Sequence, residues 1–293
     1  MADFVDIHSH VLPGVDDGAP SFEVALAMLE VAWDQGVGTM VLTPHLRPID
    51  GPDKEGEHRE RFDELKEVAR TAGLEIDLHL GSEIAFRFNM SEVAAWPSGH
   101  LAEGRYVLTD LPPGPLSPGL EQAYFELRSD GFKPILAHPE RHRELSSNPE
   151  QIDRLRQQDL LLQINAGSLL GRFGRRAQAT AEMMLERGWS DFIGSDAHDL
   201  EKRPLSLLSE ARERVLDLCG KMEVERLFCR NPFCVLSGEA VLRGEDSPRS
   251  EPLRNKSPRN KSSRNKSPRS KSLRSKRAKA GFFERLLGRG TNR

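Results

Sequence analysis

The stretch FVDIHSHVLPGVDDGA, residues 4–19, decides how the rest of the chain is read. Residues 4–8 read as a short strand, and the strand runs straight into His8-Ser9-His10, with Asp16 and Asp17 close behind. At a strand end, residues i and i+2 point the same way, so both imidazoles can reach one ion. A lone His-x-His is weak evidence, because surface histidines are common. Its weight depends on what the other strand ends carry.

Working outward, the pattern predicts further strands over 39–43, 74–80, 105–110, 134–138, 160–165 and 189–194. Helices are expected between them. The clearest is 21–35, where Phe22, Leu26, Leu29 and Trp33 recur at helical spacing, Ser21 caps the start and Gly36 ends it. Others are expected near 57–72, 120–129, 149–158, 175–187 and 206–218. Such alternation predicts a parallel sheet covered by helices, either a closed barrel or an open doubly wound sheet. His8, His10, His45, Glu83, Asp110, His138 and Asp196 all fall at or just past the C-terminal ends of these strands. In α/β folds that edge builds the site, and in barrels the ends converge on one face. Six strands feeding one site is easier in a barrel, which is therefore the expected fold.

Past about residue 246 the chain changes character. RNKSPRNKSSRNKSPRSKSLRSK repeats every five residues and has no apolar face to offset its ordering entropy. Residues 249–293 hold 16 Lys/Arg against two acids, leaving 26 Lys/Arg against 43 Asp/Glu, net −17, in the body. We expect a body over 1–240, a disordered basic tail over 241–280 and a short amphipathic segment, GFFERLLGRG, within 281–293. Cys219, Cys229 and Cys234 form no disulfide framework or closely spaced metal pair, and read as buried, reduced thiols. No signal peptide or apolar run of about 18 residues is evident, so a cytoplasmic protein is expected.

The strand-end histidines come in company. Thr43-Pro44-His45, Gly81-Ser82-Glu83, Ala137-His138-Pro139-Glu140-Arg141 and Gly194-Ser195-Asp196-Ala197-His198 each close a strand. Five of the nine histidines sit at such points, a clustering that random scatter through loops and helix faces does not give. His58, His79 and His100 read as ordinary. His142 reads as a supporting or surface residue.

The pattern D-x-H-S-H…D-D-G, then T-P-H, G-x-E-I, A-H-P-E-R and S-D-x-H, resembles the PHP (polymerase and histidinol phosphatase) superfamily. Within it the chain most resembles the bacterial manganese-dependent tyrosine-protein phosphatases of capsule and exopolysaccharide synthesis, over roughly residues 1–238. The resemblance implies a distorted (β/α)7 TIM-like barrel, the PHP fold, with up to three Mn²⁺ ions. His8, His10, Glu83 and Asp196 would hold one ion. Glu83 would bridge to a second, completed by Asp110 and His138, and Asp16, His45 and His198 would take the third. The relatives usually carry Glu where Asp110 stands here, one methylene longer.

Carboxylate and imidazole donors without thiolate suit Mn²⁺, Fe²⁺ or Zn²⁺. Clustered cations lower the pKa of a bridging water to give hydroxide and neutralise a phosphoryl group. Arg141 and Arg203 are the candidates to clamp phosphate oxygens, the alternative for each being a surface arginine. Asp17 reads as a loop or histidine support. Asn165 is either a supporting contact or a structural residue. A cysteine-based phosphatase needs Arg six positions after its Cys; Glu225, Val235 and Ala240 stand there instead.

The expected activity is thus hydrolysis of phosphotyrosine, with a bacterial tyrosine autokinase of polysaccharide export as the substrate protein. A histidinol-phosphate phosphatase is the enzymatic alternative, though the DDGA turn and compact length favour the first. An acidic body argues against a nuclease. A membrane- or nucleic-acid-binding scaffold acting through the basic tail is the non-enzymatic alternative. Basic charge next to GFFERLLG favours an anionic membrane over nucleic acid.

Overall fold

The computed structural model describes residues 4–87, 89–102 and 104–244. The pentapeptide repeats and the C-terminal amphipathic segment therefore lie outside the described residues. Within them the strands are β1 (Phe4–Ser9), β2 (Val37–Leu42), β3 (His45–Leu46), β4 (Asp77–Leu80), β5 (Glu83–Ala85), β6 (Tyr106–Asp110), β7 (Lys133–Ala137), β8 (Leu161–Asn165) and β9 (Phe192–Gly194). The helices are α1 (Phe22–Asp34), α2 (Gly51–Thr71), α3 (Met90–Ala94), α4 (Leu120–Ser129), α5 (Arg143–Ser147), α6 (Pro149–Gln157), α7 (Ala166–Leu169), α8 (Arg175–Glu186), α9 (Leu207–Cys219), α10 (Lys221–Glu225) and α11 (Asn231–Ser237).

Every ladder is parallel: β1-β2-β4 in one sheet and β3-β5-β6-β7-β8-β9 in the other. The expected strand over 39–43 runs instead over Val37–Leu42, the one over 74–80 is shortened to Asp77–Leu80, and each is followed by a second short strand. The breaks fall at Thr43-Pro44 and Gly81-Ser82. Pro44 has no N–H to give a ladder. Backbone bonds cross both breaks, from Gly81 N to the Leu42 carbonyl (2.9 Å) and from Glu83 N to the Pro44 carbonyl (3.1 Å). An isolated parallel bridge joins Ser9, the last residue of β1, to Ala197, just past β9.

All six expected helices form, while the short helices α3, α5 and α7 were not expected. The Ser21 hydroxyl accepts from Val24 N, and Gly36 adopts φ +84 just past α1. Helix α2 starts six residues earlier than expected, with Pro52 in its first turn, where a missing N–H costs nothing. Residues 221–237, for which no helix was expected, are helical.

Most of the buried apolar side chains form one large cluster. A smaller cluster draws Val5 and Ile7 from β1, Val41 from β2, Leu108 from β6, Ile135 from β7 and Phe192 from β9, with Val235 of α11 against it. Both sheets thus contribute to one apolar centre, each fully buried Ile or Phe stabilising by about 1.5–3 kcal/mol. At the N-terminal ends of β8 and β9, Arg243 donates to the Leu160 carbonyl (3.1 Å), the Arg156 carbonyl (2.8 Å) and Asp191 Oδ2 (3.2 Å). The body's hydrogen bonding therefore continues through Arg243.

Candidate metal centre

The C-terminal ends of the strands bring donor atoms of four side chains close together. His8 Nε2 lies 3.4 Å from His10 Nε2, 3.5 Å from Glu83 Oε1 and 3.4 Å from Asp196 Oδ1. His10 Nε2 lies 3.4 Å from Glu83 Oε2 and 3.5 Å from Asp196 Oδ1. Donors held about 2.1 Å from a shared tetrahedral ion stand about 3.4 Å apart. The mutual spacing of His8 Nε2, His10 Nε2 and Asp196 Oδ1 therefore fits a metal ion, with the Glu83 carboxylate beside both histidines, and the donor chemistry fits a borderline divalent one.

Two neighbouring groups overlap with it. His138 Nε2 is 3.1 Å from Glu83 Oε1, making a His8, Glu83 and His138 group. His10, Asp17, His45 and His198 form another, with Asp17 Oδ1 3.4 Å from both His45 Nε2 and His198 Nε2. His45 Nδ1 reaches Glu83 Oε2 at 3.0 Å, so Glu83 touches all three groups.

Two expected donors stand elsewhere. Asp16 Oδ2 faces His10 Nδ1 at 2.8 Å and accepts from His45 N, while its Oδ1 accepts from Gly18 N. Its lone pairs go to orienting a histidine and two amides, and its neighbour Asp17 faces His45 and His198. Asp110 lies 3.6 Å from His138 Nδ1, the ring nitrogen opposite the one Glu83 meets. Among the described residues, His58, His79 and His100 join no such group.

A hydrogen-bond chain that the sequence did not reveal runs behind the donors. His8 Nδ1 meets Gln163 Oε1 (2.7 Å), Gln163 Nε2 donates to Asn165 Oδ1 (3.1 Å), and Asn165 Nδ2 donates to Asp196 Oδ2 (2.6 Å). Its polarity follows from amide chemistry. Gln163 can only accept through oxygen, so His8 carries its proton on Nδ1 and turns the Nε2 lone pair inward. Asp196 likewise spends Oδ2 on Asn165 and Arg141 (2.6 Å), leaving Oδ1 inward. The only advance signal for Gln163 was its place two residues before the β8 end.

Backbone geometry serves the same ends. His138 and Asp196 take left-handed φ of 34 and 48, strain that side chains at a site tolerate when their surroundings dictate it. A Cβ on Gly194 would stand 2.8 Å from Gln163 Nε2 and 2.9 Å from His8 Cβ, so glycine is what lets β1 and β8 side chains meet.

The charges lock together. Burial opposes protonation of His10, yet bonds to Asp16 and Glu83 raise its pKa to about 10. Burial likewise opposes protonation of His138, but Glu83 and Asp110 raise it to about 9. Against burial, the surrounding histidines hold Glu83 and Asp196 well below the usual carboxylate range. Burial, with the charge of His10, lowers His198 to about 4. Burial raises Asp110. Carboxylates this deeply buried need positive charge beside them, which protonated imidazoles supply here and a cation would supply as well.

Arg141 stacks its guanidinium 4.2 Å over the Phe173 ring beside its bond to Asp196. Arg203 stands 3.7 Å from Asp196 Oδ2 and 3.4 Å from Asp17 Oδ2. Both expected arginines thus border the donor cluster.

Residues 4–237 match the model of the capsular polysaccharide synthesis CpsB/CapC family. The chain belongs to the CpsB/CapC family. It is 32% identical to CapC of Staphylococcus aureus over 241 residues, covering 81% of this chain and 92% of that protein. It is 29% identical to the tyrosine-protein phosphatase YwqE of Bacillus subtilis, covering 83% and 96%. A crystal structure from a study of YwqE and of CpsB from Streptococcus pneumoniae, called there unique metal-dependent tyrosine phosphatases, superposes with TM-score 0.75 and 28% identity, over 82% of this chain and 96% of that one. The expected family is thereby established, along with an α/β fold of parallel strands like that of the family's solved member.

Proposed function

We propose that the chain is a metal-dependent protein-tyrosine phosphatase binding up to three ions, with Mn²⁺ first among Mn²⁺, Fe²⁺ and Zn²⁺. The observation that carries this is the trio His8 Nε2, His10 Nε2 and Asp196 Oδ1, mutually 3.4–3.5 Å apart, with Glu83 3.4–3.5 Å from both histidines and reaching two further groups. His8, His10, Glu83 and Asp196 hold one ion. Glu83 and His138 hold a second, with Asp110 acting on the far nitrogen of His138. His45, His198 and Asp17 hold the third; the 3.4 Å approaches of Asp17 support it here over Asp16, which orients His10. When bound, the ions supply Lewis acidity toward water and toward the phosphoryl oxygens.

The chain's own residues do the rest. Gln163 and Asn165 orient His8 and Asp196. Arg141, fixed by Phe173 and Asp196, offers its remaining N–H groups to the phosphate oxygens, and Arg203 flanks it. The finer fold reading belongs with this proposal. A distorted (β/α)7 barrel is supported by the two crossed breaks, which make seven bent strands of nine segments, and by the Ser9–Ala197 bridge beside β1 and β9.

The relatives' names support phosphotyrosine as the substrate. A tyrosine kinase of polysaccharide export, as the protein that bears it, rests on the family resemblance. No described helix is long and apolar enough to cross a membrane. Contact of the 241–293 tail with an anionic membrane rests on its sequence alone; equal liposome co-sedimentation of the whole chain and a chain ending at Gly244 would remove it.

The deciding experiment strips the metal, reloads Mn²⁺, and measures phosphate release from a phosphotyrosyl peptide and from histidinol phosphate, with His138→Ala alongside. Turnover of the peptide that disappears without metal and in His138→Ala is expected. Turnover of histidinol phosphate alone would replace the reading with the small-molecule one.

A further inference from the structure

Beside the donor cluster opens a cleft of about 750 Å³, far more space than a phosphoryl group needs and within the range of sites that hold a drug-sized ligand. Asp110, His138 and Arg141 close one end of it. Leu111, Pro113 and Pro115 form one wall, on the connection from β6 to α4, and His142, Arg143 and Glu144 form the other. The walls are tied together: Leu116 N donates to Glu144 Oε2 at 2.8 Å. Prolines at 112, 113 and 115 leave the first wall little backbone freedom. Gly114 adopts φ +126, a conformation other residues resist.

The wall chemistry points to a substrate. Pro113 and Pro115 present apolar ring faces suited to an aromatic ring, with the largely buried Leu111 beside them. The opposite wall carries the cation of Arg143 in a body whose formal charge is −17. Its carboxylate, Glu144, is spent on the Leu116 amide. The exposed guanidinium of Arg143 makes no ion pair or hydrogen bond with any of the described residues. An unpaired arginine two positions along from Arg141, lining the same cleft, is placed to meet a second negative charge on the same ligand.

We propose that this cleft docks a polypeptide segment bearing phosphotyrosine, its ring against the proline wall, with Arg143 pairing to a carboxylate next to the phosphotyrosine in the substrate chain. The Glu144–Leu116 bond sets the width of the cleft. The proposal rests on the phosphatase reading and adds to it a preference for acidic sequence around the scissile phosphate.

The test uses the Mn²⁺-loaded full chain and two phosphotyrosyl peptides that differ only in carrying Asp/Glu or Asn/Gln beside the phosphotyrosine, with p-nitrophenyl phosphate as a substrate lacking any flank. The unmodified protein is expected to favour the acidic peptide in kcat/KM. In Arg143→Glu that acidic-to-neutral ratio is expected to fall about tenfold or more, through KM, the loss of one charge-assisted contact. Glu144→Ala, which frees the wall, is expected to raise KM for both peptides severalfold while keeping their ratio. Hydrolysis of the neutral peptide reports that each variant is folded and loaded. Turnover of p-nitrophenyl phosphate with no preference between the peptides, or a ratio that Arg143→Glu leaves unchanged, overturns the docking proposal alone. Failure of the unmodified protein to turn over any phosphotyrosyl substrate overturns the phosphatase reading, and the docking proposal with it.

Discussion

Gln163 of β8 holds His8 of β1 through a 2.7 Å hydrogen bond to Nδ1, with both side chains fully buried. The same amide reaches Asp196 by way of Asn165, so one side chain governs two inward donors. Gln163→Leu removes both connections at little change in bulk. Mn²⁺ affinity is expected to drop about 10–100-fold, the usual cost of losing such an outer partner, as read by calorimetric titration of metal-stripped protein. Gln163→Glu, which keeps the acceptor for His8 but loses the donor to Asn165, is expected to fall between. Wild-type affinity in Gln163→Leu would mean that packing alone orients His8.

Asp16 and Asp17 are adjacent, and their expected consequences differ. Asp17→Asn removes a charge facing His45 and His198, so metal content per chain should fall by one ion in elemental analysis. Asp16→Asn should leave the count unchanged. Instead it should lower the pKa of His10 in metal-free protein from about 10, since Asp16 helps hold the imidazolium against burial. An NMR titration reads that shift directly. Loss of an ion in Asp16→Asn alone would reverse the assignment.

Asp6 is a structural anchor. Buried beneath the site, it accepts from Ser195 N (3.1 Å), Ser195 Oγ (2.5 Å) and His8 N (3.3 Å), tying β1 to the segment after β9. Asp6→Ala leaves those donors buried without a partner, at about 1–3 kcal/mol for each group that finds none. A loss of about 2–4 kcal/mol in urea unfolding is expected, larger than for Ser195→Ala. A loss below about 1 kcal/mol would mean that water or a rearrangement takes its place.

His58 is fully buried on α2, and neither ring nitrogen has a hydrogen-bond partner among the described residues. Burial, helped by Lys54, lowers its pKa to about 4. Between pH 6.5 and about 4 the unfolded chain binds a proton here that the folded chain does not. Stability from this residue is therefore complete above pH 6.5, falls as pH drops through that window, and levels off below about 4. About 2 kcal/mol should be gone by pH 5. His58→Leu is expected to flatten the curve between pH 7 and 5 by that amount in urea unfolding with chelator present. His198, also lowered to about 4, acts alike in both proteins and cancels. Parallel curves for the two proteins would show that His58 takes up a proton in the folded state.

The sequence by itself determined which residues gather. Strand-end position puts a side chain at the C-terminal edge whatever the details of packing, so His8, His10, His45, Glu83, His138, Asp196 and His198 were legible as one constellation. The longer helices were legible too, because their periodicity and caps are local: Ser21 and Gly36 bracket α1 as their chemistry requires.

What only the tertiary structure decided lies between neighbours in sequence or partners far apart in it. Which of Asp16 and Asp17 turns toward His45 and His198 depends on a non-repeating loop, pinned by Gly18, whose Cβ would collide with the His10 carbonyl. No periodicity reaches into such a loop. Which nitrogen of His138 meets Asp110, and that Gln163 lies against His8 155 positions earlier, depend on ladder register and the Ser9–Ala197 bridge. His58 read as ordinary because its helix is highly charged, and only the packing of α2 buries it. Pattern assigns a residue to a face, and cross-strand register then sets the ångströms that make a face into a site.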